Sequence, residues 1–371
     1  MPTVSIVTSG HDVADARLHR EAAALQAAGL SVEVLGLGDP GAGPPGASIR
    51  TWSRRGGVVR AWRALSLPWR ARGALVITLD PDVAVGAELR RTLSRVRPDR
   101  RVRTVADVHE DYRLLLRDRA WARGPRRWAG EAFARAGVAA ARRADLTVVA
   151  DVGLLPDAPR RLVMRNLPDR SMLPAPADPD PSPRAIYVGD LRRSRGLFAM
   201  LDAVALAPGW ELDLVGPIAA ADRAEADARL AEPELATRVR WHGRLPPREA
   251  WEHARGAWVG LLLLEPTPAF REAMPSKLYE YLACGLPVVA TALPRVARLL
   301  TETGAGVVVD GSSAAGALLG RWSVDPDALT SLRERASAAA AGLTDDAGPF
   351  VQACRELVVL TRNGPGDGGR P

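Results

Sequence analysis

The stretch REAMPSKLYEYLACGLPVVAT, Arg271 to Thr291, decides the fold of this chain. Pro275 and Ser276 read as the opening of a helix, because Pro suits a first helical turn and a Ser hydroxyl caps exposed backbone N–H groups. The helix continues through Leu278, Tyr279, Glu280, Tyr281 and Leu282 until Gly285 and Pro287 stop it. LPVVAT then has the short apolar run of a parallel strand buried on both faces. A helix N-terminus open in this way offers unpaired N–H donors and a partial positive charge, which suits a diphosphate. Lys277 adds a full charge in the first turn, and it is the only lysine of the chain; the other 49 basic residues are arginine. Glu272 and Glu280, with seven residues between them, face the same side at two depths, and a carboxylate accepts well from adjacent sugar hydroxyls.

Outward from this stretch the same grammar repeats. IYVGDLRRSRGLFAMLDAV (Ile186–Val204), LDLVGP (Leu212–Pro217), RVRWHG (Arg238–Gly243) and AWVGLLLLEP (Ala257–Pro266) are apolar runs closed by Gly or Pro. They alternate with Ala-rich helical patterns, the signature of a parallel sheet flanked by helices. Ligands in such sheets sit beyond the carboxyl ends of the strands, where Gly216, His242, Gly243 and Arg244 fall. The N-terminal half opens in the same style with VSIVTSG, an amphipathic helix and SVEVLGLG. Its first turn, SGHDVADAR, is not GxGxxG, so a dinucleotide fingerprint is absent. Asp107, Val108 and His109 end a later strand, VRTVADVHEDY, where side chains reach a ligand.

These segments resemble the family-four retaining glycosyltransferases of the GT-B fold, whose donor-binding domain carries a Glu-x7-Glu pair running into EYLACGLPVVAT and a later Gly-rich strand, here GAGVVVD. The resemblance implies an α/β chain of two Rossmann-like domains facing a cleft, with a C-terminal helix crossing back to the first domain. It further implies transfer of a sugar from a nucleotide-diphosphate donor, with retention and without a metal or cofactor, the nucleotide sugar being a substrate. Glu280 then binds the ribose, while Glu272 and His109 stand by the transferred sugar as the catalytic pair. The donor diphosphate falls to Ser276, Lys277 and Arg195, with Arg192 or Arg193 in place of an arginine that the family usually has where this chain has Asp190. Gly216, Gly243 and Arg244 border the nucleobase, and His11 and Asp15 are acceptor-side candidates. Two readings stay open beside transfer: a nucleotide-sugar epimerase of the same fold, and a catalytically silent nucleotide- or sugar-binding regulatory protein.

At 371 residues and 47% hydrophobic content, the chain has room for two cores. The expected organisation is an acceptor-binding domain over 1–172, a Pro-rich linker over 173–184, a nucleotide-sugar domain over 185–343, a returning helix over 344–360 and a disordered tail over 361–371. Charge divides unevenly: residues 1–170 hold 29 arginines against 18 acids, whereas residues 171–371 hold 21 bases against 25 acids. The excess peaks in RTWSRRGGVVRAWRALSLPWRAR (Arg50–Arg72), where Trp52, Trp62 and Trp69 interleave with seven arginines. That pattern suits a helix lying on an anionic membrane surface within reach of a lipid-linked or other glycan acceptor; the competing reading is a surface helix with its rings packed on its own domain. Nucleic acid fits poorly, since no binding module accompanies the charge. Cys284 and Cys354 make no disulfide framework. With no leader pattern and no membrane-length apolar run, the expectation is a cytoplasmic protein, peripheral at most.

Overall fold

The protein is seen in a computed structural model, which describes residues 2–54, 56–96, 101–109, 125–271, 274–343 and 346–362. The chain divides into two units, one formed by Met1–Asn166 with Asp345–Pro371 and the other by Leu167–Thr344.

The first unit follows the order β1 (Val4–Asp12), α1 (Ala16–Ala27), β2 (Val32–Leu37), β3 (Ser48–Trp52), α2 (Gly57–Arg70), β4 (Leu75–Thr78), α3 (Pro81–Ser94), β5 (Arg103–Val108), α4 (Pro125–Arg143), β6 (Leu146–Val149) and β7 (Arg161–Val163). One-turn helices aside, the second contains β8 (Arg184–Val188), α5 (Leu197–Ala205), β9 (Glu211–Val215), α6 (Arg223–Leu230), β10 (Val239–Gly243), α7 (Pro247–Glu252), β11 (Val259–Leu262), α8 (Ser276–Ala283), β12 (Val288–Thr291), α9 (Pro294–Thr303), β13 (Gly306–Val309), α10 (Gly311–Val324) and α11 (Asp327–Ala341). The last helix, α12 (Ala347–Arg362), belongs to the first unit.

Both sheets are parallel and doubly wound. Their orders are β3-β2-β1-β4-β5-β6-β7 and β10-β9-β8-β11-β12-β13, so the winding reverses between β1 and β4 and again between β8 and β11. At such a reversal neighbouring connections leave on opposite faces and open space beyond the strand ends. The alternation of side chains along a strand explains the two cores of the second unit: Ala185 and Tyr187 face one, Ile186 and Val188 the other. In the first unit, α12 places Phe350, Cys354, Leu357 and Val358 against Ile6, Ile77 and Leu18. Asp346 anchors its entry, accepting from Arg20 Nη2 at 2.5 Å and from Arg165 N at 2.9 Å.

The Pro-rich stretch docks on the second unit. Leu173 joins one of its cores, Asp180 N donates to Gly256 O at 2.8 Å, and Trp258 Nε1 donates to Asp180 O at 2.7 Å. Beyond Arg362, the expected tail lies outside the described residues. The two cysteines are buried and free, one in each unit. Among the described residues, no helix is long and apolar enough to cross a membrane.

Tyr281 fastens α8 to its sheet. Its ring is fully buried against Gly260, where a Cβ would run into it, and its hydroxyl lies 3.3 Å from both Ile186 O and Leu261 O. Tyr281→Phe should therefore lower unfolding free energy by ~1 kcal/mol, the net value of a buried hydrogen bond. Gly260→Ala should cost more, ~2–3 kcal/mol, because the ring has nowhere to move. Urea unfolding followed by circular dichroism measures both, and the reverse ranking would contradict this packing.

Candidate functional site

In the second unit, the sequence-expected residues gather at the carboxyl edge of the sheet. Pro275, not Ser276, is the N-cap of α8, and no side chain caps the helix; this corrects the expected role of the Ser276 hydroxyl. The reason is local, since the extended backbone falls on Pro275 and leaves Ser276 as the first helical residue. The helix mouth thus keeps its positive dipole end free of any capping side chain.

Lys277 leaves this mouth with Nζ 2.8 Å from Glu280 Oε2 and 5.5 Å from the centroid of the Trp251 ring. Glu280 is buried, with the half-buried Lys277 as its ionic partner. Room for the lysine stem comes from Gly189 just past β8, where a Cβ would stand 2.9 Å from Lys277 Cε. Gly189 and Gly216 both adopt φ +144°, and a Cβ on Gly216 would overlap the Gly189 carbonyl oxygen. Their amides continue the sheet past its strands, Gly189 N to Val215 O at 2.8 Å and Gly216 N to Gly243 O at 2.7 Å. The ends of β8, β9 and β10 therefore form a rim of bare backbone.

The arginines of the turn after β8 separate by role. Arg193 lies over the Phe198 ring at 4.4 Å and pairs with Glu225, so it is committed to its neighbours. Arg192 bonds Asp190 at 2.7 Å, while its Nε is buried without a partner. Arg195 is half-buried at the end of a short 3-10 turn, and Arg244 is exposed beyond Gly243. His242 is occupied structurally: its Nε2 lies 2.8 Å from Asp213 Oδ1. Burial pushes the Asp213 carboxyl up, but His242, Arg240 and Arg184 outweigh it and hold the group below its ordinary value. Glu272 lies outside the described residues.

The first unit brings His11, Asp15 and His109 together. The ladder between β1 and β2 shifts register between Val7 and Asp12, which throws residues 8–11 out of the pairing. Asp80, just past β4, catches this loop by accepting from Thr8 Oγ1 at 2.5 Å, Ser9 N at 2.8 Å and Gly10 N at 3.1 Å. His11 consequently sits 3.3 Å from Asp15 and 3.5 Å from Asp80, with its ring edge-on to His109 at 5.4 Å. His109 Nε2 lies 2.5 Å from Asp107 Oδ2, and Arg17 holds the same carboxylate with Nε at 2.6 Å and Nη2 at 2.7 Å. Burial raises the Asp107 carboxyl, yet Arg17 and then His109 prevail and keep it well below the usual range.

Asp80, Arg17 and Glu21 were not singled out as site residues in the sequence, and Asp107 was named only as a strand-end residue. The available signals were an acid immediately after the apolar run ALVITL and an Arg/Glu pair four apart, which on a helix reads as a solvent-facing pair until burial is known. Glu21 is fully buried and neither carboxylate oxygen has a hydrogen-bond partner.

The family described as glycosyl transferases, group 1, matches residues 172–339. Most of the second unit thus matches the group 1 glycosyl transferase domain, and the paired doubly wound sheets are the GT-B fold. The putative teichuronic acid biosynthesis glycosyltransferase TuaH of Bacillus subtilis is 26% identical over 113 residues, 30% of this chain and 28% of that protein. The sucrose-phosphate synthase of Thermosynechococcus elongatus superposes with a TM-score of 0.71 at 17% identity, over 98% of both chains. HepE of Anabaena, crystallised with UDP and glucose, gives 0.67 at 14% identity, covering 98% of this chain and 99% of its own.

Glu21 provides a test of the first cluster. Burial, then the Asp107 carboxylate, hold it well above its ordinary value of 4.5. Its raised folded value means that its contribution to stability is whole below the unfolded value and is lost as pH climbs toward the folded one. Glu21→Gln removes that titration. The margin in melting temperature between variant and wild type should therefore move in the variant's favour as pH climbs from the ordinary value of 4.5 toward neutrality. A margin equal at both ends would show that Glu21 ionises normally.

Proposed function

We propose that this protein is a retaining glycosyltransferase that takes its sugar from a nucleoside diphosphate bound to the second unit. The observation that carries the reading is the chain's only lysine, set at an uncapped helix mouth beside a glycine-lined sheet edge and held there by Glu280 and Trp251.

Departure of the nucleoside diphosphate leaves negative charge on the β-phosphate oxygens. A lysine ammonium, an arginine guanidinium and free helix N–H groups stabilise that charge more in the transition state than in the ground state, which is what lowers a barrier. Lys277, Arg195 and the first amides of α8 take this role, with Arg192 beside them. This arrangement does not call on a divalent ion. Glu280, released from Lys277 as the phosphate arrives, accepts from the ribose hydroxyls, and the bare rim at Gly216 and Gly243 lets the base approach backbone groups. The first unit takes the acceptor through His11, Asp15 and His109, whose ring Asp107 orients. Glu272 stands by the transferred sugar, as the resemblance implies. Binding of UDP, glucose and UDP-glucose by HepE supports a nucleotide-sugar donor.

A thermal-shift panel of UDP, GDP and their hexose forms identifies the donor, since a ligand of the folded state raises the melting temperature. Lys277→Ala and Arg195→Ala should then lower turnover about 10²-fold each while the circular dichroism spectrum stays native. Glu280→Ala should weaken nucleotide binding about tenfold or more. Activity should persist in excess EDTA, and proton NMR should show the donor's anomeric configuration in the product. Full turnover in all three variants, or an inverted product, would refute this assignment.

A further inference from the structure

Helix α2 has already filled its inner face. Ala64 and Leu67 pack with Val7, Leu35 and Val76, yet the helix also carries a second apolar strip pointing outward. Val59, Trp62 and Trp69 recur at helical spacing, and Trp62 is 71% exposed and Trp69 48%. Trp62 therefore stands clear of its own unit and Trp69 about half clear, whereas Trp52, expected on the same helix, lies on β3 and packs partly buried against the core.

The neighbouring helix repeats the feature. On α3 and just past it, Leu89, Leu93 and Val96 stand exposed at positions four and three apart. The two helices are pressed close: a Cβ on Gly86 would lie 2.6 Å from Leu65 O, and Arg90 Nη1 donates to Ala71 O at 3.0 Å. The next helix on that face, α4, packs on α3 and adds Trp128, 79% exposed.

Charge along α2 and α3 is predominantly positive. No acid occurs between Asp39 and Asp80, a span that holds seven arginines. Residues 50–96 contain ten arginines and three acids, which alone accounts for the formal +7 of the whole chain. Those three acids are engaged: Asp80 binds the loop after β1, Asp82 accepts from Ser9 Oγ at 2.6 Å, and Glu88 pairs with Arg91 at 2.7 Å.

We infer that α2, α3 and the start of α4 form a docking surface for an anionic lipid bilayer. Trp rings partition to the headgroup level, the aliphatic side chains enter just beneath, and guanidiniums pair with lipid phosphates. The strip is apolar, as a protein contact would also require. Its setting among arginines, with no unengaged acid in residues 50–96, favours phosphate-bearing lipid over a second copy of this chain, which would bring the same positive face. This inference goes beyond the proposed transfer reaction and is independent of it, because the readout needs no nucleotide.

The full chain is sedimented with vesicles of phosphatidylcholine alone and of phosphatidylcholine with one third phosphatidylglycerol. Binding should require the anionic lipid and fall as salt is raised, since exposed charges are screened. Arg63→Ala with Arg70→Ala should weaken it about 25-fold, about fivefold for each arginine. Trp62→Ala with Trp69→Ala should weaken it about tenfold or more and abolish quenching by bromine-labelled lipid. Native circular dichroism spectra and melting temperatures confirm that the variants fold. No binding to anionic vesicles, or binding that neither variant alters, overturns the inference. So does a concentration-dependent dimer in analytical ultracentrifugation that the tryptophan variant removes, which would assign the strip to a second copy.

Discussion

The contact on which the second unit depends is the approach of Gly216 to the carbonyl of Gly189. A side chain at residue 216 cannot exist there, and both residues adopt a backbone conformation that only glycine takes up readily. Two consequences follow together. Strands β8 and β9 stay paired past their apolar residues, and their ends remain bare enough for a lysine stem from another element to lie across them. The cation is thus placed by the absence of side chains as much as by its own helix.

The first unit uses the opposite device. Its strand ends are crowded with ionisable groups, and the register shift in β1 is held by Asp80 through one hydroxyl and two amides. Arg17 and Asp107 neutralise each other inside the same cluster, an arrangement that orients His109 while costing desolvation. Buried charge of this kind is weak evidence of a stabilising design. Together with the edge-on pair of histidines it is better understood as fixing the position and tautomer of a ring.

Local grammar carried much of this to the reader of the sequence. Apolar runs closed by Gly or Pro located most strands of both sheets, though not the edge strands β3 and β7, and PSKLYEYLACGLPVVAT located α8 and β12 to within a residue or two. His11, Asp15 and His109 were also legible, because acids and histidines just past an apolar run fall at strand ends. What escaped was long-range. Nothing near Glu21 in sequence reveals that it lies beneath Asp107, and the Arg192–Asp190 pair depends on where a turn folds back. The cap of α8 was misplaced by one residue because Pro-Ser satisfies two capping rules at once, and only the backbone angles decide between them.

The location of α12 bears on how the molecule is made. Phe350, Cys354, Leu357 and Val358 complete a core whose other walls, from β1 and α1 to β6 and Met164, all precede the second unit in the chain. On the ribosome, that core stays open on one side while the whole second unit is synthesised, and it closes only when the final helix emerges. The second unit, contiguous in sequence, can finish folding earlier. Exposed strand surface during that interval is where a chaperone would bind a nascent chain of this design.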